Sequence, residues 1–306
     1  MQAHELLNNL CEGIKIFILS QLSWFKVDYK KRYGKWAVIS GSTDGIGLAM
    51  ARELARRGHS IVVMGKNEQK LAKTKASLLD EPNVGEVETV CCDLSDVSQT
   101  NIAQLRAKLD PDNRDIGILI NNAGVTSLFG IPFHDRDSLE MQNAINIGII
   151  MFVQLTRMVL PGMLKRKRGL IVNVSSVLSL GTMGLTGLYS IIKIFVDAFS
   201  KQLAVELANE PVDVVNLNPG LVKTKLAEYS SDLSSILTYI PPETYAKSAV
   251  NAFAAAPKST TGCIDHVPTY YSISWVDYFG LSYYLMKLSL NLFARKTELE
   301  SINKSS

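Results

Sequence analysis

Residues 36–58 leave the chain few ways to fold. Trp36-Ala37-Val38-Ile39-Ser40 is an apolar run of strand length. Gly41-Ser42-Thr43-Asp44-Gly45-Ile46-Gly47 is a glycine-rich turn, and Leu48 to Arg57 reads as a helix ending at Gly58. Such an arrangement aims backbone N–H groups and the positive end of a helix dipole at one point, and bare glycines let an anion such as a pyrophosphate approach the main chain. The spacing is G-x-x-x-G-x-G rather than G-x-G-x-x-G. An ordinary βα turn also uses glycine for its φ angles, so the other strand ends must decide how this turn is read.

Apolar runs alternate with helix-period segments along the rest of the chain, which indicates βαβ units and a parallel sheet. Strands are expected near 36–40, 60–64, 87–92, 116–120, 170–174, 212–217 and 263–267. With right-handed crossovers, 306 residues suffice for one α/β domain. The expected fold is a single Rossmann-type, doubly wound parallel sheet of about seven strands flanked by helices, with ligands at the C-terminal strand ends. No repeat or low-complexity tract interrupts the sequence.

Those strand ends carry a consistent set of residues. The second strand runs into Gly65-Lys66-Asn67, with Lys66 where an NAD-preferring site places an acid on the ribose 2′-hydroxyl. A cation there suits the 2′-phosphate of NADP(H); otherwise Lys66 is a solvated loop charge. Val87 to Cys92 leads into Asp93-Leu94, with Asp93 placed to meet an adenine ring, and Ile116 to Ile120 leads into Asn121-Asn122-Ala123-Gly124. Amides at a strand end can brace neighbouring loops, and small residues leave room for a cofactor.

Further on, Tyr189 and Lys193 are four residues apart in YSIIK, and Ser176 precedes the tyrosine by thirteen. A four-residue step sets two side chains on one helix face. A lysine ammonium beside a phenol favours the phenolate and lowers the tyrosine pKa from about 10 toward the range of a general acid or base. A serine hydroxyl at the same point can hydrogen-bond a substrate oxygen. A lone YxxxK is common on helix surfaces, so the trio gains its meaning from the segments before it.

Taken in order, the GxxxGxG turn, NNAG, the serine before YxxxK and Asn218-Pro219-Gly220 resemble the short-chain dehydrogenase/reductases over residues 35–270. Lys30 to Val38, the Thr-Asp-Gly-Ile-Gly form of the turn, and Thr261-Gly262 followed by His266 are similar to one branch of that family. The branch holds 17β-hydroxysteroid dehydrogenases types 3 and 12, very-long-chain 3-oxoacyl-CoA reductases and hydroxysteroid dehydrogenase-like proteins. The resemblance implies Tyr189 as acid in carbonyl reduction, and Lys193 as its tuner and a ligand of the nicotinamide ribose. It implies Ser176, selected over Ser175 by the interval, as the carbonyl-orienting group and Asn146 as holder of a water beside Lys193. The turn from Gly41 to Gly47 (Ser42, Thr43, Asp44, Gly45 and Ile46 included), Lys66, Asp93, Leu94, Asn122, Ala123, Gly124, Pro219, Gly220, Val222 and Thr224 would hold the cofactor. Two features depart from the family pattern. Ser40 and Ser42 replace the usual Thr and Ala, and Ile191-Ile192 replaces a small, partly polar pair, so that Ile192 could crowd the nicotinamide. Some inactive relatives lack the tyrosine; this chain keeps it.

Net charge is +3, too small to imply a nucleic-acid partner, and Lys165-Arg166-Lys167-Arg168 reads as a solvated helix end or, failing that, an anion patch. Cys11, Cys91, Cys92 and Cys263 show no CxxC spacing and read as free thiols; the histidines at 4, 59, 134 and 266 form no metal motif. Residues 1–34 form an N-terminal extension whose apolar run at 14–25 is short for a membrane span and better suited to an interfacial anchor. Residues 271–306 form an aromatic-rich extension that either packs on the domain or a partner subunit, or faces a membrane surface. Leu226, Tyr229, Leu233, Ile236, Leu237, Tyr239 and Ile240 make residues 223–245 an apolar lid, which favours a lipophilic carbonyl such as a steroid ketone or 3-oxoacyl chain. The resemblance adds the endoplasmic reticulum membrane as location, with mitochondrial or cytoplasmic placement as alternatives, and a homodimer as a possible assembly.

Overall fold

A computed structural model of the chain describes residues 28–125, 131, 133–180, 188–225, 239–253, 259–267 and 269–270. The apolar run at 14–25, the centre of the expected lid and the aromatic C-terminal extension lie outside the described residues.

The strands are β1 (Trp36–Ile39), β2 (Ser60–Gly65), β3 (Val87–Cys91), β4 (Ile116–Asn121), β5 (Gly169–Val174), β6 (Val212–Leu217) and β7 (Ser259–Thr260). All seven pair in parallel, in the order β3-β2-β1-β4-β5-β6-β7. Described helices are α1 (Tyr29–Tyr33), α2 (Gly45–Arg56), α3 (Glu68–Leu79), α4 (Gln99–Leu109), α5 (Ser138–Ile145), α6 (Phe152–Arg166), α7 (Leu188–Glu206) and α8 (Pro242–Phe253).

Both sheet faces are covered, which is why the strands are continuously apolar rather than alternating. Ala37 and Ile39 of β1 pack into the core closed by α1, α2, α3 and α8, while Trp36 and Val38 pack into the core closed by α4, α6 and α7. Truncating one of these large buried side chains to alanine costs about 2–5 kcal/mol. The helical run Ser138–Arg166 is long and apolar enough to cross a membrane by length and composition. Its Met151, Leu155, Val159 and Met163 are buried in the second core, so its apolar stripe is used against the sheet.

One strand differs from expectation. The chain was expected to be extended at 263–267, but β7 is Ser259–Thr260 and Ile264–His266 is a 3-10 turn. Asn218 N–H donates to the Thr260 carbonyl oxygen at 2.7 Å, and Gly262 N–H then folds back onto Thr260 Oγ1 at 3.0 Å. The chain turns there and delivers His266 to the segment after β6 instead of extending the sheet.

The basic run at 165–168 is not a free anion patch. Arg166 and Arg168 both pair with Asp115, at 3.3 and 3.0 Å, and Arg166 also donates to the Ile116 carbonyl oxygen. These contacts lie at the N-terminal end of β4, opposite the strand ends that bind ligands in such sheets.

Candidate active site

Gly41 leaves β1 at φ +64°, and a Cβ there would come within 3.0 Å of Ala123 Cα. At Gly47, in the first turn of α2, a Cβ would fall 2.5 Å from Asn122 Nδ2 and 2.6 Å from the Gly41 carbonyl oxygen. Backbone conformation at the first position and space at the second demand glycine. Ser40 Oγ accepts the N–H groups of Asn122 and Ala123, each at 3.0 Å, and Asn122 Nδ2 donates to the Ser40 and Gly41 carbonyl oxygens. Asn122 thus braces the turn, and serine at position 40 keeps the hydroxyl that the brace requires. Asp44 caps α2 by accepting the Gly45 N–H at 2.8 Å, so the helix opens at Gly45, ahead of the expected Leu48.

A cleft of about 480 Å³ crosses the C-terminal ends of the strands where their order reverses between β1 and β4. Gly41, Thr43, Asp44, Gly45 and Ile46 line it from the turn; Lys66, Asp93 and Leu94 from the ends of β2 and β3. Asn122, Ala123, Gly124, Tyr189, Lys193, Pro219 and Thr224 of the nominated cofactor set also line it, whereas the nominated Asn146 and Ser176 stand just off the lining. Space at Gly124 is open: a Cβ there would meet nothing nearer than Lys193 Nζ, at 3.8 Å. Asp93 accepts the Ser95 N–H and hydroxyl at 2.9 and 2.7 Å; these bonds, with Lys66 nearby, hold its carboxyl below the usual range.

Four nominated residues stand behind the cleft wall instead. Ser42 is fully buried, donating its hydroxyl to the Ile39 carbonyl oxygen and accepting the Met64 N–H. Gly47 is packed under Asn122, Gly220 against the His266 ring, and Val222 pairs with Ile240. They shape the wall through their backbones. Sequence reasoning missed Gly65, Cys92, Ser95, Val125, Glu140, Asn143, Ile147, Val174, Ser175 and Lys225, which also line the cleft. Glu140, Asn143 and Ile147 follow i, i+3, i+7 spacing, a legible signal of one helix face; the others carried no local signal.

Tyr189 and Lys193 sit one turn apart on α7, with Lys193 Nζ 5.5 Å from the centre of the phenol ring. Ser176 is hydrogen-bonded to the Tyr189 phenol, whereas the Ser175 hydroxyl is committed to the Lys193 carbonyl oxygen at 2.8 Å. Burial pushes the phenol up to about 12, against a smaller lowering by Ser176, and burial pushes Lys193 down to about 8. Burial, rather than Lys193, sets the direction of the phenol's shift. The amine donates to the Val174 carbonyl oxygen at 2.7 Å, and the cost of desolvating a phenolate raises the phenol.

The profile of the short chain dehydrogenase family matches residues 35–233. The chain belongs to the short-chain dehydrogenases. It is 33% identical over 296 residues to very-long-chain 3-oxoacyl-CoA reductase-B of Danio rerio, covering 94% of this chain and 89% of that protein. It is also 34% identical over 242 residues to inactive hydroxysteroid dehydrogenase-like protein 1 of Homo sapiens, covering 79% of this chain and 72% of that one. Among solved structures, a short-chain dehydrogenase from Sphingobium yanoikuyae in complex with NADPH aligns with a TM-score of 0.67 at 26% identity, covering 74% of this chain and 87% of that one. The fold, the cleft and the family agree on an oxidoreductase scaffold for a nicotinamide dinucleotide.

In this short-chain dehydrogenase, Asn146 opens a π-helical stretch, Asn146–Met151, between α5 and α6. Its amide donates to the Ser95 carbonyl oxygen and accepts from Gln142 Nε2, each at 2.8 Å, which fixes the side chain beside the cleft. The Ile191-Ile192 departure does not crowd the cleft. Ile191 is exposed, and Ile192 is buried against Gly148 and Ala144, off the lining of this cleft but in a small adjoining cavity shared with Tyr189 and Lys193. His266, fully buried, accepts the Gly220 N–H on Nδ1 at 3.1 Å and lies with Nε2 3.2 Å from the Leu221 carbonyl oxygen. A neutral ring protonated on Nε2 satisfies both, and burial keeps it neutral by lowering its pKa. It pins the start of the segment bearing Thr224.

Proposed function

We propose that the protein is an NADPH-dependent carbonyl reductase acting on a lipophilic ketone or the corresponding secondary alcohol. The observation that carries this reading is the meeting of Ser176, Tyr189 and Lys193 beside a cleft whose other end bears Lys66. When bound, a nicotinamide dinucleotide supplies hydride exchange with a carbonyl carbon. The chain's own residues supply the rest. Tyr189, held protonated at neutral pH, donates its proton to the carbonyl oxygen only as negative charge develops there. Ser176 orients that oxygen and stabilises its charge by hydrogen bonding. Lys193, poised near 8, restores the proton to the phenol and takes one up in turn. Lys66 selects the 2′-phosphate.

Among lipophilic carbonyls, the 3-oxoacyl-CoA class is favoured by the likeness to a very-long-chain 3-oxoacyl-CoA reductase over nearly the whole chain; 17-ketosteroids are the other arm of the test. A non-catalytic reading is suggested by the inactive human relative, and the intact trio weighs against it. We propose the endoplasmic reticulum membrane as its location, on the family resemblance; ultracentrifugation of a low-salt lysate should pellet it. Ile191 and Ile194, exposed on α7, suit packing against a second copy.

The test is NADPH consumption by purified protein against long-chain 3-oxoacyl-CoAs, 17-ketosteroids and small ketones, with Tyr189→Phe alongside. Turnover should fall by about 10²-fold or more in the variant, with nucleotide affinity unchanged. Near-normal turnover by the variant would refute the assignment.

A further inference from the structure

The chain after β6 returns across the glycine turn at two points. Thr224 Cγ2 lies 3.1 Å from where a Gly45 Cβ would stand, so the approach needs a bare glycine. One residue on, Lys225 Nζ lies 3.1 Å from Asp44 Oδ2, while Asp44 Oδ1 caps α2 through the Gly45 N–H. Asp44 and Lys225 both line the cleft, with side chains 52% and 74% exposed.

A carboxylate is an awkward neighbour for a cofactor whose diphosphate is anionic, because like charges in one turn repel. Partial burial raises the Asp44 pKa, but Lys225, the Gly45 N–H and Lys70 bring it below its ordinary value, so it is ionised at neutral pH. The ion pair masks that charge. An exposed Lys–Asp pair is weakly held, whereas a diphosphate offers more charge and charge-assisted hydrogen bonds.

We propose that Asp44 and Lys225 form a charge clasp in which Lys225 exchanges Asp44 for the diphosphate of the incoming cofactor. Lys225 is then a nucleotide-binding residue blind to the 2′-phosphate, which complements the discrimination assigned to Lys66. The inference rests on the cofactor reading above. The clasp also stands at one foot of the segment between Val222 and Ile240, whose ends pair in parallel, with Lys223 N–H donating to the Ile240 carbonyl oxygen at 2.9 Å.

Titration of the full-length protein with NADPH and with NADH, followed by nucleotide fluorescence, tests the clasp in Lys225→Met and Asp44→Asn. Methionine keeps the apolar stem, and asparagine keeps the helix cap. Lys225→Met should weaken both nucleotides by the same factor, roughly fivefold, and Asp44→Asn should tighten both. Wild-type affinity for both nucleotides in Lys225→Met overturns the clasp alone. A loss confined to NADPH overturns it too, by moving Lys225 to the 2′-phosphate. Wild-type protein that binds neither nucleotide overturns the cofactor reading and the clasp together.

Discussion

Lys66 follows Gly65, the last residue of β2, where its charge adds to the lowering of the Asp93 carboxyl pKa at the cleft's outer end. Replacing it with aspartate exchanges the cation proposed for the 2′-phosphate for an acid suited to a ribose hydroxyl. NADPH affinity should fall by roughly tenfold or more while NADH gains, since hydrogen bonds to charged groups contribute about 1.5–3 kcal/mol. The ratio of the two dissociation constants checks this, and an unchanged ratio would return Lys66 to the solvated loop. At this scale the sequence was legible where function follows chain spacing. The four-residue step of Tyr189 and Lys193 and the interval to Ser176 predicted a grouping that folding brings together. The protonation states were illegible, because burial of the phenol and amine is a property of the packed site. Cys92 likewise had no local mark; only its place in the cleft, with burial pushing its thiol up to about 11, makes it an inert part of the lining.

The junction between α7 and the π-helical stretch shows how an odd residue is absorbed by an element. A Cβ on Gly148 would lie 2.5 Å from Ile192 Cγ2, so the bulky residue at 192 occupies a hollow that only glycine leaves. Gly148→Ala should destabilise the protein by about 1–3 kcal/mol through overpacking. Adding Ile192→Ala should recover part of that loss, with a coupling of about 1 kcal/mol in a urea-denaturation double-mutant cycle. Strict additivity would mean that the two residues do not compete for the hollow. Strand positions were legible to within a residue for β1 to β6, since buried parallel strands write themselves as apolar runs. The exception is 263–267, where an apolar stretch serves a turn: His266 is used to pin Gly220 and Leu221 rather than to extend the sheet.

For the molecule as a whole, acid stability should depend on His59, which is fully buried beside the start of β2 with its pKa pushed down to about 4 by desolvation. Above about pH 6.5 both folded and unfolded chains carry it neutral, and it contributes no pH dependence. As pH falls from 6.5 toward 4, the unfolded chain binds a proton that the folded one refuses, so stability drops, by about 3 kcal/mol at full effect. Urea midpoints across this range should flatten in His59→Leu; an equal slope in the variant would clear His59 of the effect. By itself the sequence determined the doubly wound sheet, the glycine turn and the Ser-Tyr-Lys grouping, because strand and helix periodicity and short spacings act between near neighbours. Tertiary structure alone decided that burial raises the Tyr189 phenol, that Ile192 packs into the hollow at Gly148, and that Lys225 meets Asp44. Each of those depends on desolvation or on a contact between residues distant in the chain, which packing creates and no local pattern encodes.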